Sequence, residues 1–222
     1  MSEISTVALD GYCELPESAM RQRGADFLAE MRRRRSVRDF ADRPLPPGLI
    51  EDCVAAAATA PSGANLQPWH FVIVRSAATK RRIRELAERE ERAFYGGRAS
   101  QQWLRDLAPL GTSATKPFLE TAPCLIVLFV ELTRRTPDGA VRRHYYPLQS
   151  AAIAAGMLIT AIHHAGLVCL PYTPCRMGFL NPILGRPRNE RPLMIVVTGY
   201  PAPGARVPAL TRKPWDQVVS YA

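Results

Sequence analysis

A long segment without charge, residues 145–175, limits the folds open to this chain more than any other feature. It contains no Asp, Glu, Lys or Arg, and a bilayer crossing needs only about 20 apolar residues. Three prolines and several polar side chains interrupt it, however, and Gly166 provides a helix end near its middle. We therefore predict a helix over residues 147–164 followed by a strand, and no membrane span.

The predicted helix at 147–164 is apolar on nearly every face and rich in Ala. A helix of this kind must be covered on all sides. In a chain of 222 residues, a second copy of the same surface is the simplest cover, because most soluble oligomers are symmetric. We therefore predict that this helix lies at the interface of a homodimer.

Periodicity and turn residues predict three further helices and four strands. The helices are at residues 18–33, 47–59 and 77–94, with a proline in the first turn of the second. The strands, rich in branched side chains, are at residues 70–74, 124–131, 167–170 and 193–198.

The most apolar strands indicate how the elements assemble. Residues 124–130 and 194–197 are apolar without alternation, which is typical of strands buried on both faces. We predict a single α+β domain over residues 1–222, with a central mixed sheet flanked by helices. Residues 201–222 are rich in Pro and Gly near their start and are expected to form an arm that wraps the partner subunit.

The net charge of +9 is compatible with nucleic acid, an anionic membrane or a small anionic ligand. Many basic residues lie beside acidic ones on predicted helix faces, and no nucleic-acid-binding motif accompanies them. The five cysteines show neither a disulfide framework nor a zinc spacing, and the N-terminal segment has no signal-peptide core. We predict a cytoplasmic protein with no nucleic-acid partner, no membrane anchor and no metal.

Positive charge clusters where the first predicted helix ends. The cluster comprises Arg34, Arg35, Ser36 and Arg38. The planar donors of arginine match the geometry of phosphate, whereas basic residues at a helix end also interact favourably with the helix dipole. A phosphate clamp and a plain helix end both remain open on these residues alone.

A turn-rich segment, residues 60–69, connects the second predicted helix to the first strand. Its sequence is Ala-Pro-Ser-Gly-Ala-Asn-Leu-Gln-Pro-Trp. Small residues let a flat ring approach the backbone closely. A binding loop for such a ring and an ordinary connection are equally compatible with this composition.

Taken together, the two segments resemble the nitroreductase flavoprotein family. The similarity continues through Gly166 and residues 184–187, 199–201 and 212–214, so it covers residues 30–216. The resemblance implies a nitroreductase-like fold, FMN as a non-covalent cofactor, and a homodimer with two FMN sites that each use both chains. The flavin-binding residues that it implies are Arg34, Arg35, Ser36, Arg38, Pro61, Ser62, Thr173 and Arg212.

Three further residues resemble the iodotyrosine deiodinase branch of that family. Glu91 and Tyr95 are one helical turn apart and share a face, and Lys116 follows in the next segment. The resemblance implies a lid at about 91–118 in which this trio binds an amino acid zwitterion. Without the resemblance, Glu91 is more typical of a solvated charge on a surface helix.

The resemblance also assigns roles beside the flavin. Thr173 is expected to act catalytically by giving its hydroxyl to flavin N5, which favours one-electron steps, although a threonine before proline is also common in turns. The Ala64 amide is expected to meet the substrate phenolate. Tyr172 and the two glycines of the lid depart from the branch pattern, which leaves the halogen preference open.

The expected reaction is reductive dehalogenation of iodo-, bromo- or chlorotyrosine. Reduced FMN supplies the electrons, and an unidentified donor, NADPH or an NAD(P)H-linked reductase, reduces the flavin. The alternative is a general NAD(P)H-dependent nitroreductase or quinone reductase of the same family. In that case Glu91, Tyr95 and Lys116 have no common role.

Overall fold

A computed structural model describes residues 4–222. The chain divides into two compact units, residues 1–34 and residues 35–222. The described part of the first unit is dominated by helix α1 (Glu17–Arg33). This helix has an acidic residue in its first turn and two arginines in its last, as the helix dipole favours.

The second unit contains the sheet and the remaining helices. The helices are α2 (Leu49–Ala58), α3 (Ala77–Ala93), α4 (Gln101–Leu107), α5 (Phe118–Thr121), α6 (Pro147–His164) and α7 (Leu180–Ile183). The strands are β1 (Trp69–Val74), β2 (Cys124–Glu131), β3 (Thr133–Arg135), β4 (Val141–Arg143), β5 (Val168–Tyr172) and β6 (Glu190–Gly199).

Four strands form the central sheet, in the order β1-β2-β6-β5, with β1 and β5 at its edges. Every neighbouring pair in it is antiparallel. The prediction of a mixed sheet was therefore wrong for these strands, and parallel pairing is limited to an isolated bridge between Ser36 and Cys169. Strands β3 and β4 form a separate hairpin.

The two central strands are buried on both faces, as predicted. In β2, Leu125, Val127 and Phe129 pack into one apolar cluster together with side chains of α3, α5 and α7. Cys124 and Ile126 point into a second cluster, formed with α2 and α6. Helices therefore cover both sides of the sheet, as the continuous apolar runs indicated.

Helix α6 matches its predicted bounds. Proline at its first position and the positive φ of 78° at Gly166, just beyond its end, define its limits. One face is buried in the core, whereas Leu148 and Ile153 on another remain 40% and 46% exposed. Among residues 4–222, no helix combines the length and the apolar composition of a membrane span.

The start of α2 differs from the prediction. Residues 47 and 48 form a turn, and the helix begins at Leu49. Gly48 has a φ of 80°, a left-handed conformation that α-helical geometry excludes. Proline therefore precedes the helix instead of occupying its first turn.

Candidate functional site

Helix α3 carries a carboxylate into the interior of the second unit. Its buried positions recur every three or four residues and form one face. They are Lys80, Ile83, Ala87, Glu88 and Glu91. The Ser76 hydroxyl caps the helix by accepting a hydrogen bond from the Thr79 amide at 3.3 Å. The last turn thus holds Glu91 with only 8% of its surface exposed.

Glu91 has a separate partner for each carboxylate oxygen. The Tyr172 hydroxyl donates a hydrogen bond to Oε1 at 2.8 Å, and Lys116 Nζ lies 3.5 Å from Oε2. Tyr172 and Lys116 are themselves buried. Because an unpaired charge is costly in the interior, these contacts allow the carboxylate to remain there.

Lys116 is held through its backbone as well as its side chain. Its amide donates to Glu88 Oε1 at 2.8 Å. Its ammonium donates to Thr112 Oγ1 at 2.9 Å and to the Ser113 carbonyl. Burial lowers the pKa of Lys116, and the nearby Glu91 carboxylate opposes this effect. The site therefore contains a desolvated cation next to a desolvated anion.

Aromatic side chains surround this ion pair and help to form a cavity of about 230 Å³. The Phe94 ring meets Tyr95 and Trp103 edge to face, with centroid distances of 5.3 and 4.9 Å. The lining of the cavity includes five of the predicted site residues: Arg38, Glu91, Tyr95, Lys116 and Thr173. This combination of ring contacts and opposite charges is complementary to a small aromatic ligand that carries both charges.

A second cavity, of about 330 Å³, shares Arg38 with the first. Hydroxyl and guanidinium donors predominate among its charged and hydroxyl-bearing lining residues, which are Ser36, Arg38, Asp39, Thr112, Ser113, Thr115 and Arg206. Such donors suit a phosphate group. The Arg35 guanidinium donates to the carbonyl of Pro208, which also lines this cavity.

Strand pairing explains why Arg38 and Thr173 line one cavity. The Val37 amide donates to the Cys169 carbonyl at 3.2 Å, next to the Ser36 bridge. Cys169 is the second residue of β5, and Thr173 directly follows the end of that strand. The segment that contains Ser36 and Arg38 is thereby placed beside β5, and Thr173 follows that strand directly.

The loop at residues 60–68 lies at the other edge of the sheet, because it leads into β1. Its Ala64, Asn65 and Gln67 have φ values of 50°, 53° and 46°, a left-handed conformation that is uncommon outside glycine. The Gly63 amide donates to the Ser150 hydroxyl of α6 at 3.2 Å. Ser62 accepts a hydrogen bond from the Gln67 amide at 2.9 Å.

Within residues 35–222 the predicted site residues do not all meet at these cavities. Six of them line one or both cavities, namely Ser36, Arg38, Glu91, Tyr95, Lys116 and Thr173, whereas Arg35 lines neither. Pro61, Ser62 and Ala64, on the β1 side, contribute to neither of the two cavities. Arg212 also lines neither of them. Arg34 belongs to the first unit, and its expected flavin contact stays a prediction.

Tyr172 is a site residue that the sequence reasoning missed. It stood out only as bulk next to Thr173, whereas the structure shows its hydroxyl on Glu91. The alternation along β5 was an available signal. It places Leu170 and Tyr172 on a buried face, and a buried tyrosine hydroxyl usually has a hydrogen-bond partner.

The sequence profile of the nitroreductase family matches residues 31–200. The chain belongs to the nitroreductase family. Several relatives in this family are iodotyrosine deiodinases. One from Haliscomenobacter hydrossis is 51% identical over 87% of this chain and 87% of its own length. Another from Nematostella vectensis is 40% identical over 98% of this chain and 83% of its own length.

Solved structures agree with this assignment. An iodotyrosine deiodinase in complex with FMN and 3-iodo-L-tyrosine is 28% identical, with a TM-score of 0.74 over 88% of this chain and 98% of its own. A Bacteroides fragilis nitroreductase with bound FMN is 22% identical and has a TM-score of 0.65 over 89% of this chain and 98% of its own. The second likeness concerns the fold alone, which is the nitroreductase-like α+β fold predicted from the sequence.

Proposed function

We propose that this chain is an FMN-dependent iodotyrosine deiodinase, which removes halogen from halogenated tyrosines by reduction. The observation that carries the proposal is the buried pair of Glu91 and Lys116 in an aromatic cavity that also contains Thr173. A tyrosine zwitterion has one cation and one anion, and this cavity offers one opposite charge for each. The relatives named above support the same reaction.

The residues present fit FMN. Ser36 and Arg38 line a cavity rich in hydroxyl and guanidinium donors, as the phosphate of FMN requires. The left-handed backbone at Ala64 belongs to a loop of small residues that a flat ring can approach. Bound FMN supplies the electrons for the reaction. We assign its binding in residues 35–222 to Arg35, Ser36, Arg38, Pro61, Ser62, Thr173 and Arg212.

The protein's own groups bind and orient the ligands. Glu91 accepts hydrogen bonds from the substrate ammonium. Lys116 and the Tyr95 hydroxyl donate hydrogen bonds to the substrate carboxylate. The Ala64 amide donates to the phenolate, and the Thr173 hydroxyl donates at flavin N5. The aromatic walls exclude water, which strengthens each of these charged contacts.

We further propose that two copies of the chain complete each site. The loop with Ala64 and the strand that leads to Thr173 lie at opposite edges of the sheet, about 14 Å apart for three strand spacings. The exposed apolar face of α6, with Leu148 and Ile153, adjoins that loop through Ser150. A homodimer that covers this face brings the loop of one protomer to the cavity of its partner.

The reductant and the compartment are part of the same proposal. The electron donor that we expect is NADPH or an NAD(P)H-linked reductase. The compartment that we propose is the cytoplasm. The described cysteines are all free thiols, which is the usual state there.

The first test is a titration of oxidised, FMN-loaded protein with 3,5-diiodotyrosine, followed by flavin fluorescence. We expect Glu91→Gln to raise the dissociation constant about 10- to 100-fold, because a hydrogen bond to a charged group contributes about 1.5–3 kcal/mol. The control is Glu85→Gln, at an exposed position of the same helix.

Two outcomes of this titration decide between a deiodinase and a general nitroreductase. Binding by wild type and by Glu85→Gln, together with its loss in Glu91→Gln, supports the deiodinase site. No binding to wild type at about 1 mM ligand contradicts it. A general nitroreductase of the same fold then accounts better for the chain.

A further inference from the structure

Tyr172 occupies a position between the proposed substrate clamp and the proposed flavin contact. It is the last residue of β5, is 8% exposed, and directly precedes Thr173. Its hydroxyl donates to Glu91 Oε1 at 2.8 Å across 81 residues of sequence. The substrate clamp described above, formed by Glu91, Tyr95 and Lys116, does not include it.

The ring of Tyr172 is held by the sheet and by its neighbours. Its backbone pairs with Ile195 of β6. Phe118 meets its ring edge to face at a centroid distance of 5.6 Å, and Lys116 Nζ lies 5.7 Å from its ring centre. The hydroxyl therefore has little freedom, and it presents a fixed donor to the end of α3.

Ionisation does not disturb this contact. Burial, together with the adjacent Glu91 carboxylate, raises the pKa of Tyr172 well above its ordinary value. The phenol consequently stays a donor throughout the working pH range. Glu91, as a carboxylate, accepts the hydrogen bond.

The two oxygens of Glu91 therefore have different roles when a zwitterion enters. Oε2 faces Lys116, and an incoming carboxylate competes with Glu91 for that ammonium. Oε1 keeps its hydrogen bond from Tyr172. This second partner keeps the Glu91 carboxylate in place while its ion pair with Lys116 is replaced by one with the ligand ammonium.

We propose that Tyr172 is a positioning residue that sets the specificity of the site for amino acids. By holding the carboxylate of Glu91, it makes the cavity favour halogenated phenols that carry an ammonium group over those that lack one. This inference rests on the proposed function. It adds a residue from the central sheet to a clamp that otherwise comes from residues 91–116.

The test compares two ligands on the FMN-loaded protein. One is 3,5-diiodotyrosine, and the other is 3-(3,5-diiodo-4-hydroxyphenyl)propionate, which lacks only the ammonium group. We expect Tyr172→Phe to weaken diiodotyrosine binding about 10- to 100-fold, the usual effect of a hydrogen bond to a charged group. Binding of the propionate should change less than about threefold, because it makes no contact that Tyr172 organises.

A matched control and a double variant make the result specific. Tyr200→Phe removes a hydroxyl from a partly buried tyrosine that lines neither cavity of the described chain, and it should leave both affinities unchanged. If Tyr172 acts through Glu91, the double variant Tyr172→Phe/Glu91→Gln binds diiodotyrosine no more weakly than Glu91→Gln alone.

Three results overturn the inference. Equal loss of both ligands shows that Tyr172 only shapes the cavity. Unchanged binding of diiodotyrosine by Tyr172→Phe shows that the hydrogen bond has no role in recognition. Additive losses in the double variant show that Tyr172 does not act through Glu91. Failure of wild type to bind either ligand is a separate result, because it contradicts the proposed function itself.

Discussion

Glu91 and Lys116 are two charged side chains that this fold keeps almost completely out of water. A buried ion pair is weak support for stability, because desolvation offsets most of the attraction between the charges. Three further polar groups contact the pair, namely the Tyr172 and Thr112 hydroxyls and the Ser113 carbonyl, and the Glu88 carboxylate accepts from the backbone amide of Lys116. Because the buried pair adds little stability, this set of polar contacts is better explained by ligand recognition than by folding.

The lowered pKa of Lys116 predicts a pH dependence of binding. The protonated ammonium binds the ligand carboxylate, so affinity should fall as the pH rises through a value below 10.5, the ordinary value for lysine. The measurement is the dissociation constant of 3-(3,5-diiodo-4-hydroxyphenyl)propionate from the FMN-loaded protein, from neutral to alkaline pH. This ligand has no ammonium group of its own to titrate.

Lys116→Arg is the control for this titration. A guanidinium stays charged across the whole pH range. The affinity of the Lys116→Arg variant for the propionate should therefore not fall at alkaline pH. The same alkaline loss in both proteins would assign the effect to another group.

At the scale of elements, the two ends of helix α3 have different contacts: its start is bonded to the end of α5, and its last turns contact Lys116 in the proposed substrate site. Near its start, Lys80 Nζ donates to the carbonyls of Glu120 and Ala122 at 2.9 and 2.7 Å. These carbonyls lie at the end of α5, where a helix leaves acceptors without partners. Near its finish, the same buried face presents Glu88 and Glu91 to Lys116. The helix therefore fixes the segment that contains Lys116 at both sides.

Lys80→Met should destabilise the protein without changing its affinity for diiodotyrosine. Loss of two hydrogen bonds from a buried ammonium should lower the free energy of unfolding by about 2–3 kcal/mol, because the two carbonyls lose their donor. Urea denaturation at fixed protein and FMN concentrations measures this change.

The neighbouring position provides the comparison. Arg81, on the same helix, is paired with Glu120 but is 64% exposed at its side chain, so Arg81→Met should cost less than about 1 kcal/mol. Equal effects of the two substitutions would contradict a special role for the buried Lys80.

At the scale of the whole molecule, the predicted flavin contacts lie at two opposite edges of one sheet. One edge leads from the strained loop that contains Ala64 into β1, and the other carries Thr173 beyond β5. Neither edge by itself brings together all the predicted flavin contacts. In the symmetric dimer that we propose, the two edges would come together from different protomers, and the exposed apolar positions of α6 would be covered.

Ile153→Glu should weaken both assembly and flavin binding. A charge at a 46% exposed apolar position of α6 is tolerated in a single protomer but is desolvated in the proposed interface. We expect sedimentation velocity to show monomers and the FMN content after purification to fall in parallel.

Ala78→Glu introduces the same charge at an exposed position of α3 and should leave the dimer intact. A dimer that persists in Ile153→Glu with full FMN content would place the interface elsewhere.

Much of the secondary structure follows from the sequence because its signals are local. Helix α6 and strand β2 have the bounds that periodicity predicted, and β1 and α1 differ by one residue at their starts. Short elements were missed. Helix α4 has seven residues, and the β3–β4 hairpin has three residues in each strand, too few for a periodic pattern to be recognised.

The sequence by itself determined the family and the sheet-and-helix layers, because short motifs and apolar periodicity are encoded locally. Its resemblance to the family singled out Glu91, Tyr95, Lys116 and Thr173 as candidates, and their roles stay predictions. Only the tertiary structure decided which of these residues share a cavity. It buried Glu91 on the inner face of α3, supplied Tyr172 from a strand 81 residues away, and separated the Ala64 loop from Thr173 across the sheet. Burial and hydrogen-bond partners depend on packing between distant segments, and that packing has no local pattern in the sequence.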